Sequence, residues 1–196
     1  DVRYRLVFKN EKGFGIGLNL ILLPASVSTL GKAGPEGVTM TITEDSDEKL
    51  FKRCVVNNAA YDYYSRCVTG DMGIAAPPSD LRIWLFYNLE ASSAVMLHHG
   101  TILESDLIGK YLGIYTDLIR VFLPDITLGV KGKDSYRDLY DTTCHELAHA
   151  SHFTKAGRDF WNRYIFYIMA SYVATSGKMY GDGTGEDAGV CEVGEM

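Results

Sequence analysis

The feature that most constrains the fold of this chain is a short motif in which two histidines and a glutamate have the spacing H-E-x-x-H. His145 and His149 are four residues apart, so on an α-helix their side chains differ by about 40° in direction. Both imidazoles can then reach one cation, and Zn²⁺ accepts two such ligands. Glu146 lies on another face, where it can act on a water molecule at the metal without being a ligand. The sequence therefore predicts a zinc site on a helix that includes residues 141–153.

The regions on both sides of the motif combine strand and helix patterns. Alternating or aromatic-rich apolar segments predict strands, and apolar positions at helical spacing predict helices. The predicted strands cover residues 3–8, 16–23, 38–43, 81–89 and 126–130. The predicted helices besides the motif helix cover residues 47–67, with Ser46 as the N-cap, 104–122 and 159–175. This order of elements indicates an α+β domain.

At the motif, the chain resembles the zincin metallopeptidases. In that superfamily a short sheet, whose edge strand aligns the substrate, precedes the HExxH helix, and residues 126–130 would be the preceding strand here. The resemblance covers residues 46–196 and implies a zincin-like domain, preceded by a β-rich N-terminal segment at residues 1–45. It also implies hydrolysis of a peptide or protein substrate, with zinc activating a water molecule and Glu146 acting as the general base.

Zincins differ in their third zinc ligand. One branch, the metzincins, has a glycine three residues and a histidine six residues beyond the second histidine, whereas His152 and Lys155 occupy those positions here. The gluzincin branch takes a glutamate from a later helix. The resemblance to that branch implies Glu195 as the third ligand, with Glu192 as the alternative and Glu186 as the third choice.

Other side chains around the motif have less specific expectations. A zincin needs a donor that stabilises the oxyanion, and Tyr180 is the preferred candidate over Tyr172. His152 lies about 10 Å along a straight helix from the first histidine of the motif, too far for both to bind one zinc. We therefore expect it to line the cleft or to act as an outer-shell donor. Asp159 and Trp161 are expected to cap and anchor the next helix.

The remaining histidines and the cysteines offer further alternatives. His98 and His99 are adjacent, so in a strand they would point to opposite faces, and a loop or surface role is favoured over a second metal site. Cys144 and Cys191 flank the two ligand segments. They could form a disulfide, or they could pack as small buried thiols behind the site.

The composition limits the partners and the location of the protein. The net charge is −6 and no cluster of lysine or arginine is evident in the sequence, which argues against nucleic acid. No apolar run approaches the roughly 20 residues of a transmembrane helix. Because the chain begins with Asp1 and stops at Met196 inside an expected helix, we expect a removed leader or upstream part and a natural chain that continues. An extracytoplasmic location follows as an expectation.

The alternative function is an inactive zincin-fold binding or structural module of the cell envelope, with the β-rich N-terminal segment used for attachment.

Overall fold

The computed structural model describes residues 2–17, 26–99, 123–133 and 135–174. These residues contain three helices and six strands, and they confirm the α+β class. The strands are β1 (Val2–Val7), β2 (Phe14–Ile16), β3 (Val27–Ala33), β4 (Leu81–Phe86), β5 (Ser93–Ala94) and β6 (Ile126–Gly129). The helices are α1 (Glu48–Thr69), α2 (Tyr136–Ala156) and α3 (Arg158–Ala174). None of the helices in these ranges is both long and apolar enough to cross a membrane.

A four-stranded mixed sheet has the strand order β2-β4-β6-β5. The strands β2, β4 and β6 are parallel, whereas β5 is antiparallel to β6 and lies at one end of the order. Parallel neighbours require crossover connections, and α1 lies in the connection between β2 and β4. The strand β2 precedes residue 45 and β4 follows it. The sheet therefore takes strands both from the predicted N-terminal segment at residues 1–45 and from the predicted domain at residues 46–196.

The remaining two strands, β1 and β3, form a separate antiparallel ribbon. Their pairing shifts register between Tyr4 and Arg5, where β3 contains one additional residue. Gly31 next to this bulge has a φ of 115°, a conformation that residues with a Cβ rarely adopt. Leu6 and Leu30 of the ribbon pack against the main core.

The core lies between the four-stranded sheet and the helices. Every second residue of β4 is buried, and β6 is buried along most of its length, as expected for strands that a helical layer covers. The buried Lys52 of α1 donates from Nζ to Glu48 Oε1 at 2.7 Å and to the carbonyl oxygen of Val130 at 3.2 Å. The Tyr63 hydroxyl donates to Ser151 Oγ at 3.1 Å. These bonds join α1 to the end of β6 and to the motif helix α2.

One of the predicted strands is wrong, and another lies mostly outside the described residues. Residues 38–43 form no strand, since Val38 and Met40 are 40% and 45% exposed and no described strand pairs with them. Residues 18–23 of the strand predicted at residues 16–23 lie outside the described residues, and β2 ends at Ile16. The strand β3 was not predicted, although it pairs with β1 over most of its length.

The helix predictions agree better with the structure. The helix expected at residues 47–67 is α1, the helix expected at residues 159–175 is α3, and the motif lies on α2. The predicted N-cap Ser46 is wrong, because Asp47 is the N-cap and accepts a hydrogen bond from Leu50 N at 3.0 Å. The helix expected at residues 104–122 lies outside the described residues.

Candidate metal centre

The helix that carries the motif has a defined start and end. At its N-terminus the Ser135 hydroxyl accepts a hydrogen bond from Asp138 N at 3.0 Å, and the Asp138 carboxylate lies in the positive first turn. At its C-terminus Gly157 has a φ of 86° and donates its N–H to Phe153 O. The five residues of the motif therefore lie within a capped helix, about two turns or more from either end.

The two histidines of the motif face each other on successive turns of α2. The distance between His145 Nε2 and His149 Nε2 is 3.1 Å, and the ring planes are perpendicular, with centroids 4.7 Å apart. At the usual zinc–nitrogen distance of about 2.0–2.1 Å, this separation corresponds to an N–Zn–N angle of about 95–102°. That angle is close to the tetrahedral value of about 109°. The geometry of the pair therefore fits two ligands of one zinc ion, since the two Nε2 atoms converge.

The two ligand candidates differ in their surroundings. His145 is exposed, whereas His149 is partly buried, with its ring centroid 6.2 Å from that of Trp161. Trp161 itself is completely buried and also contacts the rings of His152, Phe153 and Tyr164. The expected anchoring role of Trp161 is therefore confirmed, and its ring lies beside the face of α2 that carries His149. The expected cap Asp159 is wrong, because α3 begins at Arg158 and Asp159 lies inside its first turn.

Glu146 follows His145 in the chain but faces another direction. It is only 5% exposed, and it lies on the same inner side of α2 as the buried Leu147 and Ala150. A step of one residue rotates a helical side chain by about 100°, which explains how an exposed histidine and a buried glutamate can be adjacent. The carboxylate is thus excluded from bulk water while its Cα lies beside that of the first histidine.

The predicted third ligand and the predicted oxyanion donor lie outside the described residues. This applies to Glu186, Glu192, Glu195 and Tyr180, and also to Cys191. Within residues 2–17, 26–99, 123–133 and 135–174, no group of three histidine, cysteine, aspartate or glutamate side chains could hold a metal. The described part of the chain therefore provides a two-histidine pair, and the third ligand stays a prediction.

His152 packs at the junction of α2 and α3. Its ring lies 5.4 Å from that of Phe160 and 5.6 Å from that of Trp161, measured between centroids. In the described residues it belongs to no group of three possible metal ligands. The structure thus gives His152 an aromatic environment at this helix junction.

Cys144 precedes the motif and is a free, half-buried thiol. Burial raises the pKa of this thiol to about 11, and the negative charges of Asp141 and Asp62 act in the same direction. The thiol is therefore protonated at neutral pH, which removes the nucleophilic thiolate form. No disulfide forms among Cys54, Cys67 and Cys144, and Cys191 is outside the described residues.

A buried aspartate next to β6 was missed by sequence reasoning. Asp125 Oδ1 accepts hydrogen bonds from the backbone N of His99 at 3.1 Å and from its Nδ1 at 2.8 Å. Asp125 Oδ2 accepts a bond from Arg82 N at 3.0 Å. The other ring nitrogen of His99, Nε2, lies 3.1 Å from the Ser79 carbonyl oxygen. Because both ring nitrogens face acceptors, this geometry favours the imidazolium form of His99.

The pKa of His99 reflects two opposed causes. Burial lowers the pKa of His99. The hydrogen bond to Asp125 and the charge of that carboxylate together raise the pKa by a larger amount, so the net shift is upward. The His99 ring also contacts that of Phe153, with centroids 6.1 Å apart. The expectation of a loop position for His99 is met, and the ring links the loop after β5 to α2. The signal in the sequence was an aspartate directly before a buried strand, which alone does not reveal its partner.

Comparison of the chain with protein families, with curated proteins and with solved structures gives no match.

Proposed function

We propose that the protein is a zinc-dependent hydrolase of peptide bonds in which His145 and His149 bind the metal through Nε2. The observation that carries this proposal is the 3.1 Å separation of these two nitrogens on successive turns of α2. Without a shared cation, the two Nε2 atoms at this distance must either form a hydrogen bond through one N–H or repel each other through their lone pairs. The arrangement therefore suits two ligands of one metal ion. The resemblance of the motif to the zincins supports the choice of reaction.

Zinc, when bound, would supply a Lewis acid and lower the pKa of a water molecule. The residues of the chain then have separate tasks. The two histidines hold the ion, and Glu146 takes a proton on its carboxylate from the attacking water and gives it to the leaving amine. Burial of Glu146 suits this role, because it keeps bulk water away from the carboxylate that receives the proton.

The proposal assigns the third ligand position to Glu195, with Glu192 as the alternative. Tyr180 is assigned the stabilisation of the oxyanion. A tetrahedral zinc with two histidines and one water has room for one carboxylate, so only one of the two glutamates should bind. Replacing the true ligand by alanine should remove most of the zinc, whereas replacing the other should leave it in place.

The position of β5 supports a peptide as the substrate. This strand lies at an end of the sheet, is antiparallel to β6 and contacts α2, the helix with the motif. No other strand of the described residues pairs with its second edge. An extended peptide can add to such an edge through backbone hydrogen bonds, which would bring a scissile bond toward the motif helix.

Zinc analysis of the purified protein tests the metal half of the proposal. We expect one zinc per chain, and we expect His145→Ala and His149→Ala each to lose most of it, since one imidazole is removed from the coordination shell. His152→Ala is the matched control on the same helix and should keep its zinc. One zinc per chain in the His145→Ala/His149→Ala double variant would contradict the assignment.

A Glu146→Gln variant tests the catalytic half. The amide preserves the shape of the side chain but cannot accept the proton, so zinc should bind normally and cleavage of a peptide library should fall about 10²–10⁴-fold. Loss of zinc in this variant would mean that Glu146 is a ligand rather than the base. If the wild-type protein contains full zinc but cleaves no peptide or ester, the alternative of an inactive binding module would replace the hydrolase.

A further inference from the structure

The ribbon of β1 and β3 has two chemically different faces. Side chains alternate along β1 and its extension to residue 9, so one set points to the core and the other points outward. The inward set includes Leu6, which packs against the core, and Phe8, which is 3% exposed. The outward set is exposed at every position and consists of Arg3, Arg5, Val7 and Lys9.

The register of the ribbon adds side chains from β3 to the same outer face. Lys32 lies directly opposite Arg3, and Thr29 lies opposite Arg5. Val27 lies opposite Val7, and these two valines are 42% and 52% exposed. The outer ribbon face, as we call it, thus consists of the cations Arg3, Arg5, Lys9 and Lys32 with Val7, Val27 and Thr29.

This face is positive although the chain is acidic. The four cations have no ion pair with any carboxylate in the described residues, whereas the chain as a whole has a net charge of −6. Like charges directly opposite each other, as Arg3 and Lys32 are, destabilise a strand pair. A negative partner would remove this repulsion.

We propose that the outer ribbon face binds the surface of a membrane that contains anionic lipids. Lysine and arginine attract anionic headgroups, and exposed aliphatic side chains among them can enter the boundary between headgroups and acyl chains. Val7 and Val27 occupy that position among the cations. The face contains no aromatic side chain on which bases could stack, which disfavours single-stranded nucleic acid. The inference does not depend on the metal site.

The test uses the full chain and sedimentation with vesicles. One set of vesicles contains phosphatidylcholine alone, and the other contains equal amounts of phosphatidylcholine and phosphatidylglycerol. We expect binding to the second set only. The binding should weaken with added salt, because the Debye length falls from about 10 Å at 0.1 M to about 3 Å at 1 M.

Charge reversal locates the binding face. Because each cation near an anionic membrane contributes about fivefold in affinity, Arg5→Glu/Lys9→Glu should weaken binding by at least about 25-fold. The matched control, Lys49→Glu/Lys155→Glu, makes the same change of charge at two exposed lysines outside the ribbon and should keep the affinity within about threefold. Circular dichroism verifies that both variants fold, and Arg5→Gln/Lys9→Gln gives a milder version of the same change.

Three results would overturn the proposal. The first is no binding of the wild-type protein to the phosphatidylglycerol vesicles at low salt. The second is equal loss of binding in the ribbon variant and the control, which would mean that net charge alone matters. The third is tighter binding to a single-stranded oligonucleotide or to polyaspartate than to the phosphatidylglycerol vesicles, with the same sensitivity to Arg5→Glu/Lys9→Glu, which would mean that the face binds a polyanion rather than a membrane.

Discussion

Removal of the Asp125 carboxylate should destabilise the fold strongly. The side chain has no exposure to solvent, and its two oxygens accept three hydrogen bonds, two from His99 and one from the backbone N of Arg82. These bonds connect β4, the start of β6 and the loop after β5. In the same loop Met96, which has a φ of 62°, donates its N–H to the backbone oxygen of Asp125. The carboxylate therefore holds a strained loop against two central strands.

The magnitude follows from the groups that lose their partner. In Asp125→Ala, the backbone N–H groups of Arg82 and His99 each lose an acceptor, at about 1–3 kcal/mol per buried group. The His99 ring, whose side chain is 22% exposed, loses its counter-ion but can reach water in part. Breaking a buried pair from one side costs about 3–5 kcal/mol, and we expect a loss in this range. At about 2–4 °C per kcal/mol for a chain of this length, the melting temperature should fall by about 6–20 °C.

Asp125→Asn provides a graded control. The amide keeps one acceptor oxygen, but its NH₂ group must face either His99 or Arg82 N, both of which are donors. About 1–3 kcal/mol should therefore be lost, less than with alanine. Urea unfolding followed by circular dichroism measures both variants, and His99→Ala completes a double-mutant cycle. A loss below about 1 kcal/mol for Asp125→Ala, or full additivity with His99→Ala, would refute the assignment of the pair as a structural bond.

Two further predictions concern His99 and the cap of α2. The folded pKa of His99 is raised, so its stabilising contribution should be complete below the unfolded pKa of about 6.5 and should be lost as the pH rises through the folded pKa. The difference in unfolding free energy between wild type and His99→Gln should therefore shrink with increasing pH. A difference that stays constant across this range would contradict the prediction. Ser135→Ala should cost about 1 kcal/mol of unfolding free energy through loss of the bond to Asp138 N, whereas Ser135→Asp should be nearly neutral; equal losses in the two variants would show that the cap does not act through its side-chain oxygen.

Short-range patterns predicted the described helices well, and the error at the start of α1 has a local cause. Ser46 and Asp47 are both good N-cap residues, so the sequence allowed either. In the structure the Ser46 hydroxyl bonds to the backbone of Thr43, accepting from its N at 3.0 Å and donating to its O at 2.9 Å. This turn occupies Ser46 and leaves the first N–H groups of α1 to Asp47. Competition between a turn and a cap is decided by backbone geometry that the residue types do not specify.

The strands were harder to predict because a strand depends on its partner. Residues 38–43 alternate between apolar side chains and threonines, a pattern that favours a strand. In the described residues, however, no neighbouring strand forms hydrogen bonds with them. The strand β3 includes Gly31 and small polar residues, a weak pattern by itself, yet β1 pairs with it from Val2 to Val7. The outer ribbon face was hidden for the same reason. Arg3, Arg5 and Lys9 are close in the sequence, but Lys32 is distant from them, and the register places it opposite Arg3.

The same distinction between local and distant information applies to the candidate metal centre. The convergence of His145 and His149 depends only on the five residues of the motif on one helix, so the sequence predicted it. The contact of His149 with Trp161 depends on the packing of α3 on α2, and it restricts that ring more than the exposed ring of His145. A ligand held in one orientation binds a metal with less loss of conformational freedom. The described structure therefore distinguishes the two proposed ligands, because the ring of His149 packs beside the buried Trp161 whereas the ring of His145 is exposed.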